Sequence, residues 1–208
     1  MFNVILVEKS SMARKLIELH IEKEKKYKIV ASIDNPTKVK QLCVTYKVDL
    51  ILMDSCMGME TNGFEVSKII KKHMPNIKII LMTDLPEYSF IKKSKAVGID
   101  SFWYKEADEK KLYEIMNLTI EGKSIYPDKT PVVKLGAALS SDFTSRELDV
   151  LRELVDGKTD AAIAEKLWIS IITVKQHIQK IREKTKFSNR TQLAVKAREC
   201  GLVINYNN

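Results

Sequence analysis

Few features of this sequence announce a specialised class of protein. It contains three cysteines in 208 residues, and Cys43, Cys56 and Cys200 are widely spaced and never in a C-x-x-C pair. That excludes a disulfide framework or a cysteine zinc site as the basis of the fold. Long hydrophobic runs are missing too. The longest, such as Val4 to Val7 and Ile79 to Leu81, fall far short of the roughly 20 residues that span a bilayer. Glu8 and Lys9 interrupt the first run before it can serve as a secretory signal, so a cytoplasmic protein with no membrane partner is expected. Internal repeats and low-complexity tracts are absent, which excludes collagen-like, mucin-like and coiled-coil classes. What is present is 45% hydrophobic and 30% charged residues, the balance of a globular chain able to bury one large core or two small ones.

The net charge of +8 is unevenly placed. Residues 1–122 carry 20 basic and 17 acidic groups, whereas residues 123–208 carry 15 and 10. Within the second part, residues 140–170 hold four basic and seven acidic groups, and residues 171–208 hold eight and two. A basic end behind an acidic shoulder suggests a surface for a polyanion; a solvated lysine-rich face is the plain alternative.

The two parts also differ in rhythm. Short apolar runs at Asn3–Val7, Lys28–Ile33, Leu50–Met53, Lys78–Met82 and Ser101–Tyr104 alternate with segments of helical period, such as Ala13, Leu16, Ile17, His20 and Ile21. Five strands alternating with helices predict a doubly wound, five-stranded parallel α/β sheet over residues 1–122, with ligands bound at the carboxyl ends of its strands. Residues 123–141 carry prolines and a glycine without a sustained period and read as a linker. From residue 142 to 208 only helices are expected. Thr144 with Glu147 forms a capping box, Asp160, Ser170 and Asn189 cap three further helices, and Gly157 and Gly201 act as stops.

In such a sheet, the residues after each strand meet at one edge. They are Glu8 and Lys9, then Asp54, then Thr83 and Asp84, then Lys105. A carboxylate beside a hydroxyl and an ammonium suits an aspartyl phosphate, with Asp54 as nucleophile and Thr83 and Lys105 holding phosphoryl oxygens. Each residue alone has a plain explanation as a helix cap or a solvated side chain.

On the segments ILVEKSSMARK, DLILMDSCM, ILMTD and GIDSFWYKE, the first part resembles the receiver domain of bacterial two-component response regulators. The resemblance implies that Asp54 accepts a phosphoryl group from a histidine kinase. It further implies that Thr83 is the switch hydroxyl, Lys105 the paired lysine and Phe102 the switch aromatic; a core position on the last strand explains Phe102 equally well. The departures are specific. The family's acidic pair after the first strand is here Glu8 and Lys9, leaving Glu8 and Asp54 to hold a magnesium ion that wants several hard oxygen ligands. Asp84 stands where a small residue admits phosphate, Gly58 replaces a proline after Met57, and the loop GMETNG is one residue longer than usual. Two carboxylates and two lysines already balance without a metal, so Lys9 is expected to stand in for the cation by pairing with Asp54 or Asp84. Two readings follow: a receiver that needs no cofactor and is controlled independently of phosphorylation, or a conventional one in which Glu8 suffices for magnesium.

The second part resembles the LuxR-type, or GerE-like, helix-turn-helix, through SREL, the Gly157 stop, IAEKL, IS, TVKQHI and NRTQL in order. Together the two parts resemble the NarL/FixJ class, which implies a transcription regulator binding double-stranded DNA as a homodimer. At about 100° per residue, Val174, His177, Ile178 and Ile181 share one arc of the helix, while Lys175, Gln176, Gln179, Arg182 and Glu183 fall opposite. The second arc is free to enter a major groove, where lysine donates to guanine and glutamine pairs with adenine. Lys175, Gln176 and Gln179 are the base-facing positions by resemblance, and Thr173, Lys180, Lys184, Asn189, Arg190 and Thr191 the phosphate contacts. His177 and Trp168 are expected to be core residues. Ile171 and Ile172 occupy a first turn that the family usually keeps polar. Leu193, Val195, Ala197 and Leu202 are expected to offer the dimer contact. Two other classes compete: a phosphoaspartyl hydrolase, which normally needs a second acid where Cys56 stands, and a protein-interaction module.

Overall fold

The structure is a computed structural model describing residues 1–55, 62–105 and 109–204. Cys56, Met57 and Gly58, and most of the GMETNG loop, lie outside the described residues. The chain forms two compact units that divide at Asp128, with the short segment Leu85–Tyr88 grouped with the second.

The first unit runs β1 (Phe2–Val7), α1 (Ser11–Glu22), β2 (Tyr27–Ile33), α2 (Val39–Thr45), β3 (Leu50–Asp54), α3 (Gly63–His73), β4 (Lys78–Thr83), α4 (Phe90–Val97), β5 (Ser101–Tyr104) and α5 (Glu109–Ile120). All five strands pair in parallel in the order β2-β1-β3-β4-β5. This is the expected doubly wound α/β sheet, and its strands coincide with the apolar runs to within a residue or two. The runs are nearly continuous because helices cover both faces of the sheet. On one face Val4, Leu6, Leu50, Leu52, Ile80 and Met82 pack with Ile17 and Ile21 of α1 and Leu112 and Met116 of α5. The alternate residues Ile5, Ile51, Met53, Ile79 and Leu81 are equally buried and point the other way. There Phe64 of α3 and Phe90 of α4 meet edge to face at 5.2 Å.

The second unit contains a short antiparallel hairpin of β6 (Lys134–Leu135) and β7 (Ala138–Leu139), then α6 (Ser145–Val155), α7 (Asp160–Leu167), α8 (Ile171–Thr185) and α9 (Arg190–Glu199). Its core gathers Leu148, Leu151, Leu154, Ile163, Val174, Ile178, Ile181 and Leu193. The capping box forms as expected: Glu147 N donates to Thr144 Oγ1 at 3.2 Å, and Thr144 N to Glu147 Oε2 at 2.7 Å. Ser170 and Asn189 also cap as expected. The cap of α7 is Thr159 and not Asp160, because the Thr159 hydroxyl accepts from Ala162 N at 3.3 Å. Asp160 takes the first helical position, where its charge faces the positive end of the helix dipole.

Three further expectations change. Residues 123–141 are ordered at both ends. Ile125 runs beside β5, accepting from Phe102 N at 2.8 Å and donating to Ser101 Oγ at 3.0 Å, and the hairpin closes the far side. Gly136 lets that hairpin seat on the end of α8: a Cβ there would lie 2.2 Å from the Thr185 carbonyl oxygen, which accepts from Ala137 N at 3.0 Å. Trp168 is not core. It is 93% exposed and adopts a left-handed φ of 54° as the C-cap of α7, a conformation that costs a bulky residue energy. On α9, Leu193 and Ala197 are buried within their own unit, as is Leu202 beyond it, which leaves Val195 exposed; the one helix cannot give the same residues to both the core and a partner. Among the described residues, no helix is long and apolar enough to cross a membrane.

Candidate functional site

The parallel register brings the carboxyl ends of β1, β3, β4 and β5 to one edge. Glu8 and Asp54 are 1% and 4% exposed there, and Thr83 is fully buried. Lys105 joins the two acids: its Nζ lies 2.7 Å from Glu8 Oε2 and 3.0 Å from Asp54 Oδ2. Burial works against the charged lysine, but Asp54 and Glu8 outweigh it and hold Lys105 above the ordinary lysine range. Glu8 is fixed further by Ser10 N, which donates to Oε1 at 2.8 Å, while Arg14 donates to the Glu8 carbonyl at 2.7 Å. Gly63 lets α3 start against the Asp54 backbone, since a Cβ would fall 2.1 Å from the Asp54 carbonyl oxygen. Phe102 is buried and packs edge to face on Tyr104 at 4.9 Å.

Lys9 does not take the cation's place. It is exposed and has no ion pair among the described residues. Lys105, just past the end of β5, reaches both acids, whereas Lys9 stays in solvent. Asp84 is likewise exposed. Glu8 and Asp54 are the two carboxylates at this edge that would hold a divalent cation. Both are bonded to the Lys105 ammonium. The described residues contain no group of three or more His, Cys, Asp or Glu placed to hold an ion.

The second site is the outer face of α8. Val174, Ile178 and Ile181 are buried, His177 is half-buried, and Lys175, Gln176, Gln179 and Lys180 are exposed. The predicted reading arc is thus the solvent arc. The Ser170 and Thr173 hydroxyls bond each other at 2.8 Å, and Ser170 Oγ accepts from Thr173 N at 3.0 Å. Gln179 donates to Glu183 at 2.9 Å.

A model of the response regulator receiver domain matches residues 4–117. A second, of bacterial regulatory proteins of the luxR family, matches residues 141–197. The chain is a DNA-binding response regulator. It is 29% identical over 209 residues to the response regulator protein VraR of Staphylococcus epidermidis, covering 96% of this chain and 98% of the relative. VraR of Staphylococcus aureus is 27% identical over 205 residues, with the same coverage. Among solved structures, two RcsB dimers bound to two parallel DNAs match with a TM-score of 0.65 at 20% identity, over 95% of this chain and 98% of that one. Salmonella typhimurium RcsB matches with a TM-score of 0.57 at 19% identity, over the same shares; these likenesses establish the fold.

Several side chains of this regulator expected on DNA phosphates have partners within the unit. Lys184 Nζ donates to both Glu147 oxygens, at 2.8 and 2.7 Å, and to the Asp142 carbonyl at 2.9 Å. These bonds tie α8 to α6 and to the turn that precedes it. Arg190 pairs with Asp160 at 2.9 Å and donates to the Lys158 carbonyl at 3.0 Å. Arg182, expected on the outward arc and not among the phosphate contacts, donates to the carbonyls of Phe187 and Ser188 and closes the turn after α8. Asn189 Oδ1 caps α9 at Gln192 N, 2.8 Å away, and Thr191 is exposed. Sequence reasoning gave Glu147 only its cap and missed this clamp, which no local pattern signals. Burial pushes Glu147 up, but Lys184 and Thr144 hold it below the ordinary carboxylate range. Glu153 is held low the same way, its burial outweighed by Lys158 and Lys166.

Proposed function

We propose that this response regulator acts in the cytoplasm as a homodimer on double-stranded DNA, each copy reading a half-site through α8, and that it works by binding rather than by catalysis. The observation that carries this reading is the exposed row of Lys175, Gln176 and Gln179 on a helix whose opposite arc is core. One such helix covers one half-site, so two copies are needed for an operator, and the RcsB dimers on DNA support that arrangement. Lys175→Ala combined with Gln179→Ala removes sequence preference in a mobility-shift assay while leaving salt-sensitive background binding. Unchanged footprints refute the assignment.

The receiver, on this reading, is controlled without phosphate on Asp54. Lys9 replaces an acid of the metal-binding pair, and Asp84 stands where a small residue would admit phosphate. Intact-mass spectrometry of the full chain, incubated with acetyl phosphate and magnesium, is expected to detect no phosphoprotein. A second reading is favoured by the placement of Asp54, Thr83 and Lys105 at adjoining strand ends: a histidine kinase phosphorylates Asp54 in the ordinary way. A stoichiometric adduct, lost in Asp54→Asn, establishes that reading instead.

A further inference from the structure

The outward face of α8 is not polar along its length. Ile172, in the first turn, is 70% exposed. At 3.6 residues per turn it stands in line with Gln176, Gln179 and Glu183, and not on the buried arc of Val174, Ile178 and Ile181. It therefore belongs to the row that carries the base-facing side chains. Folding gives no reason for an isoleucine there: so exposed a side chain gains little from burial, and a β-branched residue is a mediocre helix former.

Its neighbours define what it can meet. The nearby hydroxyls of Ser170 and Thr173 bond each other, and Ser170 Oγ also accepts from Thr173 N. Lys175 and Lys180 are exposed on the same helix, and the acid of the row, Glu183, sits three turns away, bonded to Gln179. Ile171 beside it is half-exposed, and an apolar tip flanked by cations fits a polyanion that carries an apolar group. Residues at the start of a recognition helix reach base edges, and the major groove offers one methyl group, on C5 of thymine.

We propose that Ile172 packs against the 5-methyl group of a thymine, so that this regulator selects an A·T pair opposite the first turn of α8 in addition to the pairs read by Lys175, Gln176 and Gln179. The proposal rests on α8 being the DNA-reading helix. It assigns a specificity-determining role to a side chain that hydrogen-bond reasoning passes over.

The test begins with the full-length wild type and Ile172→Ser, each selecting sites from a pool of random double-stranded DNA. The wild-type site is then resynthesised with deoxyuridine replacing one thymine at a time, and affinities are measured at two salt concentrations. At one or two positions per half-site, loss of the methyl is expected to weaken wild-type binding about fourfold, the value of one buried methyl group. For Ile172→Ser the same change costs less than about 1.5-fold, because the carbon partner is gone. Ile172→Thr, which keeps one methyl, restores part of the discrimination. The wild-type ratio between thymine and uridine stays constant with salt, since no phosphate contact is involved. Equal uridine penalties in the two proteins, or none at any position, overturn the proposal and leave the tip to a protein partner. Failure of the wild type to enrich any sequence is a different result, which removes the DNA-reading assignment and this inference together.

Discussion

The strand-end pocket and the outer face of α8 use lysine in opposite ways. In the pocket, Lys105 is drawn out of water to neutralise two buried carboxylates. On α8, Lys175 and Lys180 stay in solvent. The helical unit shows both behaviours, because Lys184 is spent on buried Glu147, and Lys158 and Lys166 on buried Glu153. A lysine's role follows from whether a buried acid lies within reach, and its position in a motif is secondary. Removing a buried acid's partner is costly, whereas moving an exposed cation is cheap.

That contrast can be broken most forcefully at Lys105. Lys105→Met leaves Glu8 and Asp54 without their cation and is expected to destabilise the receiver by about 3–5 kcal/mol in urea unfolding of the full chain. Lys184→Met is milder, about 1–3 kcal/mol, since Glu147 keeps its bonds to Thr144. A reversed order would show that the pocket does not depend on its lysine.

The Glu147 and Glu153 pairs and the Lys105 pair should also fail at opposite ends of the pH scale. Glu147 and Glu153 are held below the ordinary value of 4.5. What they contribute is complete above that pH and is lost as pH falls through their lower folded values. Lys105 is held above 10.5, so its contribution is complete below that pH and is lost as pH rises through its higher folded value. Chemical unfolding across pH is expected to show an acid limb that Glu147→Gln flattens and an alkaline limb that Lys105→Met flattens. An acid limb indifferent to Glu147→Gln would remove the clamp from the account.

Smaller effects sharpen the same contrast at exposed positions. Trp168→Gly relieves a left-handed backbone at a side chain that buries almost nothing, and is expected to raise stability by about 1 kcal/mol, seen as a higher Tm. Lys9→Ala is expected to change stability by less than about 0.5 kcal/mol; a larger loss would mean that Lys9 does enter the pocket.

Most of the fold was legible because its signals are periodic. The five apolar runs became the five strands, and the Thr144–Glu147, Ser170 and Asn189 caps fell where expected. The hairpin was not, since two-residue strands have no period to read. The left-handed turn at Trp168 was hidden because glycine or asparagine normally marks that conformation. At the site, the strand ends bring Glu8, Asp54, Thr83 and Lys105 to one edge of the sheet. The partner of a long flexible side chain was beyond reach, which is why Lys9 and Lys184 were expected to do each other's kind of work: Lys9 to meet a buried acid, and Lys184 to meet solvent and phosphate.

The seat of the β6–β7 hairpin on the end of α8 restricts how the connecting segment can change in length. Tyr126 donates to the Ile99 carbonyl, and Val133 is tied to Ser140 through Val133 N to Oγ at 3.1 Å and Ser140 N to the Val133 carbonyl at 2.8 Å. Between these anchors lie Pro127 to Val132, six positions at which an insertion leaves both hydrogen-bonded ends in place. An insertion a few residues later would lift Gly136 from the Thr185 carbonyl and loosen the C-terminal end of α8, so the permissive stretch ends abruptly where the hairpin begins.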